Sequence, residues 1–339
     1  MKILIRKINT FFSFVKRENK VFKSHYKNFG LKIALLEYLD GIFPPGKRPY
    51  YIQTIERYVD NFLKDLVNEY NKIDVEEFKR KKDQEKNLLD KYPIWCCWWQ
   101  GEDSMPELVK MCHQRLKDII PENAELHLIT LDNYLNYVDM PKHIIEKFNN
   151  NIITMTTMSD ILRHCLMSKY GGYWLDATVF FTGDIPKEYF ERDFYCQKMY
   201  DEVKCKREAC KGRWCGFSMA GNKNNILFSF MRDAFFKWWE VYDDIPDYVL
   251  IDYILLTGYK YIPAIKKTID TVENNNEDIF YMYGLLNRPY SDELYKDITK
   301  NNVMHKLTYK IDLYKRTNMN EETLYLHLLN EVLGDQDNG

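Results

Sequence analysis

Residues 170–178, Tyr-Gly-Gly-Tyr-Trp-Leu-Asp-Ala-Thr, end a short apolar segment on one carboxylate, Asp176, with the hydroxyl of Thr178 two residues on. Side chains alternate along extended chain, so these two groups face the same way. Hard oxygens of this kind suit Mg2+ or Mn2+, which often join one or two carboxylates to the phosphates of a ligand. Just upstream, Asp160 and Arg163 stand three residues apart, on one face of any helix formed there. The chemistry implied is the handling of a phosphorylated ligand. A buried acid closing a turn and a surface ion pair of little energetic weight are the structural alternatives for the same residues, and the upstream helix with its double glycine favours the functional reading.

These groups need elements to hold them. Thr156 or Thr157 can cap a helix that runs to about Lys169, with Ile161, Leu162, Cys165 and Leu166 as its buried stripe. Asp160, Arg163 and His164 share another face. Gly171 and Gly172 stop the helix, and residues 173–181 read as a strand interrupted near Asp176. Residues 94–99, an apolar run between Pro93 and Gln100-Gly101, predict a strand buried on both faces. A helix over 106–120 and a second strand over 125–130 complete a β-α-β unit, hence a parallel sheet with a right-handed crossover. Further strands are expected over 194–199 and 214–220, with helices over 141–148, 225–242, 247–257 and 320–333. The fold class is therefore α/β, a mixed, mainly parallel sheet flanked by helices. Residues 1–90 form a helical, polar extension, broken at 41–46 and ending in the charge run 76–86, read as a solvated helix. The expected organisation is a helical region over 1–90, a catalytic domain over 91–315, and a C-terminal helix and tail over 316–339.

The net charge of −2 excludes a chain that binds nucleic acid by bulk electrostatics. Residues 1–32 differ from the whole, with nine Lys and Arg against Glu18 alone, interleaved with Ile, Leu, Val and Phe. This pattern suits peripheral contact with an anionic membrane surface. Its apolar runs are far too short to span a bilayer, and it lacks the apolar centre and cleavage site of a signal peptide. The eight cysteines form no regular framework, which points to a reducing cytoplasm. Cys196, Cys205, Cys210 and Cys215, spaced by nine, five and five, do not match a zinc knuckle. The 26 Tyr and 7 Trp fit sugar-stacking surfaces as well as a large core.

Ser159-Asp160-x-x-Arg163 followed by Tyr170-Gly171-Gly172-x-x-x-Asp176 resembles the core signature of glycosyltransferase family 32, a group with the GT-A fold. The Trp174-to-Thr178 variant is closer to its capsular polysaccharide synthesis branch. Trp99-Gln100-Gly101 with Met105-Pro106 is similar to the nucleotide-binding first strand of that group, and the likeness covers roughly residues 90–260. The resemblance implies transfer of a hexosyl unit from a nucleotide sugar, such as a UDP-sugar, to a hydroxyl of a saccharide or lipid-linked oligosaccharide, with a divalent cation. It assigns Asp160 and Arg163 to the donor sugar and phosphate, and Asp176 with Thr178 to the cation. Trp99, Gln100, Gly171, Gly172 and Tyr173 are the remaining donor-side candidates. By position, His305 would complete the metal set and Lys306 would neutralise diphosphate charge. An inverting reaction needs a base; Asp252 is the choice, because Asp247 is explained as a helix cap. Family 32 leans towards retention, which removes that need. Where many members carry Asp-x-Asp, this chain has Asp176-Ala177-Thr178, which weakens the metal expectation more than the donor class.

Two rivals remain. A nucleotidyl- or phosphotransferase would carry a basic, glycine-rich phosphate loop after the first strand, where this chain has Gln100-Gly101-Glu102-Asp103. A carbohydrate-binding protein without catalysis rests on the aromatic excess alone.

Overall fold

The computed structural model describes residues 2–42, 49–199, 205 and 208–334; residues 2–15, 41 and 42 are described by their helical backbone alone. Strands β1 (Tyr92–Cys97), β2 (Ala124–Ile129), β3 (Gly172–Leu175), β5 (Phe194–Cys196) and β6 (Ser218–Gly221) form one sheet in the order β2-β1-β3-β6-β5. β1 runs parallel to β2 and β3, while β6 runs antiparallel to both its neighbours. Four strands thus point one way and β6 the other. A separate antiparallel pair joins β4 (Val179–Phe181) to β7 (Met304–Lys306).

The central strands read as unbroken apolar runs because helices cover both faces. Ile94, Trp95, Tyr173, Trp174 and Met219 are buried, and the Met155–Tyr170 helix packs between the sheet and the Ile226–Val241 helix. Thr154, not Thr156 or Thr157, caps the Met155–Tyr170 helix, its hydroxyl accepting from the Thr157 amide at 3.2 Å. The passage from helix to β3 depends on Gly172. Its φ is 107°, and a Cβ there would lie 2.4 Å from the Pro93 carbonyl oxygen on β1. Only glycine lets β3 lie this close to β1 at the point of entry.

The expected strand over 173–181 is split: the Val179 amide donates to the Asp176 carbonyl at 2.9 Å, and this turn sends the chain into the second sheet. β6 begins at Ser218 rather than at 214, because Gly216 and Phe217 form a turn. The charge run forms the Val75–Gln84 helix with Asp74 as its cap and no buried residue. The Pro49–Tyr70 helix lays Ile55, Val59 and Leu63 into the same core as the sheet. A second cluster joins the Glu107–Asp118 helix to the Leu324–Leu333 helix through Leu108, Met111, Leu324 and Leu328.

The break expected at 41–46 falls largely on residues 43–48, outside the described residues. The same holds for the side chains of 1–15, which carry much of the expected membrane-facing pattern. Among the described residues no helix is long and apolar enough to cross a membrane.

Candidate active site

The β1–β3 register pairs Trp95 with Trp174, so Asp176 emerges about level with Cys97, where both strands end. Open α/β sheets bind ligands outside the carboxyl ends of their strands. A cleft of about 1200 Å³ lies there. Cys97, Trp99 and Gln100 line it from the end of β1, Ser159, Asp160 and Arg163 from the helix that precedes β3, and Asp176 and Thr178 from the turn after β3. Asp252, on the Leu250–Tyr261 helix, and Lys306, on β7, complete the polar lining discussed below.

Asp176 is the hub. Its Oδ1 accepts from the Trp174 indole at 3.0 Å and from Arg163 at 3.3 Å, and its Oδ2 from Lys306 at 2.9 Å. Arg163 also donates to Asp160 at 2.8 Å and lies over the Trp174 ring, 4.8 Å from its centroid. Lys306 donates further to the Thr178 hydroxyl at 2.7 Å. Burial alone would raise the pKa of Asp176, but the Lys306 and Arg163 cations overcome it and hold the carboxyl well below the usual carboxylate range. Asp160 goes the other way: burial, opposed by Arg163 and reinforced by Asp176, pushes it up to about 6. Two carboxyls that share Arg163 are thus held at different proton affinities, a pattern found where chemistry is done.

The remaining candidates divide. Trp99 lines the cleft, but its indole is spent on the Met155 carbonyl and the Ser159 hydroxyl, and only 6% of it is exposed. Asp252 accepts from the Trp214 indole at 2.9 Å. Asp247 is not the expected helix cap, since the Leu250–Tyr261 helix has Val249 at its N-cap with no side-chain cap, and Asp247 accepts from the Val249 amide just ahead of it. Gly171, Gly172 and Tyr173 are not brought to this cleft. They lie at the entry end of β3, with Gly172 on a smaller pocket there and Tyr173 fully buried against the Ser218 hydroxyl. His305 is not brought there either. Alternation along β7 turns Lys306 to the cleft and His305 into the interior near Thr182, where burial lowers its pKa to about 4. His164 is likewise buried, with Phe235 beside it, so it leaves the face it was expected to share with Asp160 and Arg163.

Sequence reasoning missed the aromatic rim. Trp98, Phe217, Tyr248, Phe280, Tyr283 and Tyr309 line the cleft, and Tyr248 is 67% exposed. The aromatic excess was the sequence signal for them, and it pointed to no position.

A divalent cation fits this donor set poorly. Both Asp176 oxygens and the Thr178 hydroxyl already accept hydrogen bonds from cationic or indole donors. Among the described residues there is no group of three or more His, Cys, Asp or Glu side chains placed to hold a metal.

A mixed, mainly parallel sheet with helical flanks and a charged cleft at its strand ends defines a GT-A-like α/β protein. The chain belongs to the capsular polysaccharide synthesis protein family, whose model matches residues 47–328. No curated protein and no solved structure matches it.

Proposed function

We propose that the protein is a glycosyltransferase that moves a hexosyl unit from a nucleotide sugar to a hydroxyl of a growing, lipid-linked capsular polysaccharide. The observation that carries this reading is the joined set Asp160, Arg163, Asp176 and Lys306 at the carboxyl ends of β1 and β3. Family membership supports the pathway. The cleft also exceeds the ~300–1,000 Å³ of a site for one drug-sized ligand, so it has room for donor and acceptor together.

In this reading Arg163 and Lys306 face the donor diphosphate, and Asp160 accepts hydrogen bonds from the sugar. The exposed rim aromatics offer stacking faces to base or sugar. The acceptor oxygen bonds to the anomeric carbon while the bond from that carbon to the diphosphate breaks, its electron pair leaving with the nucleoside diphosphate. Cations positioned beforehand stabilise the charge that develops there. Asp252 takes the proton of the acceptor hydroxyl.

Nucleotide sugars incubated with a lipid-linked saccharide acceptor, with the product linkage read by NMR, test the reading. A glycosylated acceptor is expected, with an inverted anomeric centre where Asp252 acts as the base. Retained configuration would contradict the role of Asp252 and leave the donor site standing. A phosphorylated acceptor, or release of pyrophosphate, would favour a phospho- or nucleotidyltransferase instead.

A further inference from the structure

The poor fit of a metal has a positive side. Lys306 stands where a cation between Asp176 and Thr178 would stand. Its position is set by the β4–β7 ladder, which pairs Lys306 with Val179 and is extended by the Leu307 amide donating to the Thr178 carbonyl at 2.9 Å. The side chain is only 18% exposed and lies against the Phe217 ring, 5.0 Å from its centroid. Its nitrogen reaches Asp176 Oδ2 at 2.9 Å and Thr178 Oγ1 at 2.7 Å. These are hydrogen-bond lengths, whereas Mg2+ requires oxygens at about 2.0–2.1 Å in near-octahedral array. A metal could enter only by expelling the ammonium from a backbone-anchored position.

Charge leads to the same conclusion. Asp160 and Asp176 are matched by Arg163 and Lys306, so with both acids ionised the four groups sum to zero. These four groups leave no surplus negative charge of their own to draw a divalent ion; the further acid of the cleft, Asp252, accepts from the Trp214 indole, and Lys310 also lines the cleft. An ammonium has three donors. Two are used on Asp176 and Thr178, and the third has no partner among the described residues.

We propose that the Lys306 ammonium takes the place of the divalent cation, so that the donor diphosphate binds and departs without metal. The proposal rests on the donor-site reading above. Lys306 acts as a hydrogen-bond donor only: it donates its third N–H to a diphosphate oxygen, and no proton changes hands. Asp176 and Thr178 then serve to aim the ammonium rather than to ligate an ion.

Calorimetric titration of UDP, and of GDP if UDP does not bind, into the full chain tests this. The titration is run with EDTA and again with MnCl2, beside Lys306→Met and Lys306→Arg. Wild-type affinity should agree within about twofold between EDTA and Mn2+, since no ion takes part. Lys306→Met should bind at least about tenfold more weakly, the usual effect of losing a hydrogen bond to a charged group, and Lys306→Arg should retain most of the affinity. In the wild type without nucleotide, the paramagnetic resonance signal of free Mn2+ should be undiminished. Wild-type binding that appears only with Mn2+ would overturn this proposal alone and leave the donor site intact. Failure of both nucleotides to bind under every condition would overturn both. The wild-type arms decide the question even if Lys306→Met does not fold.

Discussion

Asp176 and Asp160 hold their protons with different affinity because their surroundings differ. Asp176 is held ionised by two cations, and it orients them in return. Replacing it with Asn keeps the shape but removes the charge that fixes Lys306 and Arg163. We expect Asp176→Asn to lower kcat by about 100-fold or more, the scale of losing a preorganised electrostatic contact. Free nucleoside diphosphate should bind the variant at least as tightly as the wild type, because two cations have lost their internal counter-ion; calorimetry checks this. Asp160, pushed up to about 6, is neutral below that pH and ionised above it. If ionised Asp160 orders Arg163 and accepts from the sugar, kcat/KM falls as pH drops through about 6, with one proton taken up. A pH–rate profile of Asp160→Asn should be lower and lack this limb. Asp160, Arg163 and Asp176 were legible from spacing because the helix, glycine stop and strand between them have fixed geometry. His305 and Tyr173 were misplaced for lack of orientation. A residue's number does not tell which side of a strand faces the cleft, and β7 turned Lys306 outward instead.

At the scale of elements, the site depends on how the Met155–Tyr170 helix hands over to β3. Gly172 makes that passage, so its role is to shape the sheet rather than to contact the donor. Gly172→Ala would set a Cβ against the Pro93 backbone at a positive φ. It should cost about 2–5 kcal/mol, from left-handed strain together with overpacking. Gly284→Ala, with no atom within 4 Å of the added methyl and no positive φ, is the matched control. Denaturant midpoints at unchanged slope measure both. The helices and the parallel strands were legible because their apolar periods are long. The split of the 173–181 strand was not, since turn and strand differ there by one backbone hydrogen bond, from Val179 to Asp176. The partnership of β4 with β7 joins residues more than a hundred positions apart, and no local pattern announces it.

Across the whole molecule, the cleft is assembled from distant parts of the chain, with walls from β1, β3, β7 and the Leu250–Tyr261 helix. The sheet supplies the floor; the turn after β3 brings Asp176 and Thr178 to the cleft, while helices bring Asp160, Arg163 and Asp252 and β7 brings Lys306. The Pro49–Tyr70 helix shares the main core, so the helical extension is anchored to the sheet rather than tethered beside it. The basic, apolar-interleaved residues 1–32 suggest how a lipid-linked acceptor would be kept near. Co-sedimentation should show the full chain on phosphatidylglycerol vesicles and not on phosphatidylcholine vesicles. Charge reversal at Lys2, Arg6 and Lys7 should weaken that binding, and equal binding to both vesicle types would contradict the attachment. The central claim, that the cleft turns over a nucleotide sugar through the Asp176-centred cluster, is tested most directly by nucleoside diphosphate release. A panel of nucleotide sugars is supplied with a saccharide acceptor to the wild type and to Asp176→Asn. The account predicts release from one donor by the wild type, accelerated by acceptor and about 100-fold slower or worse in the variant. Release from no nucleotide sugar, or release by the variant at the wild-type rate, would contradict it.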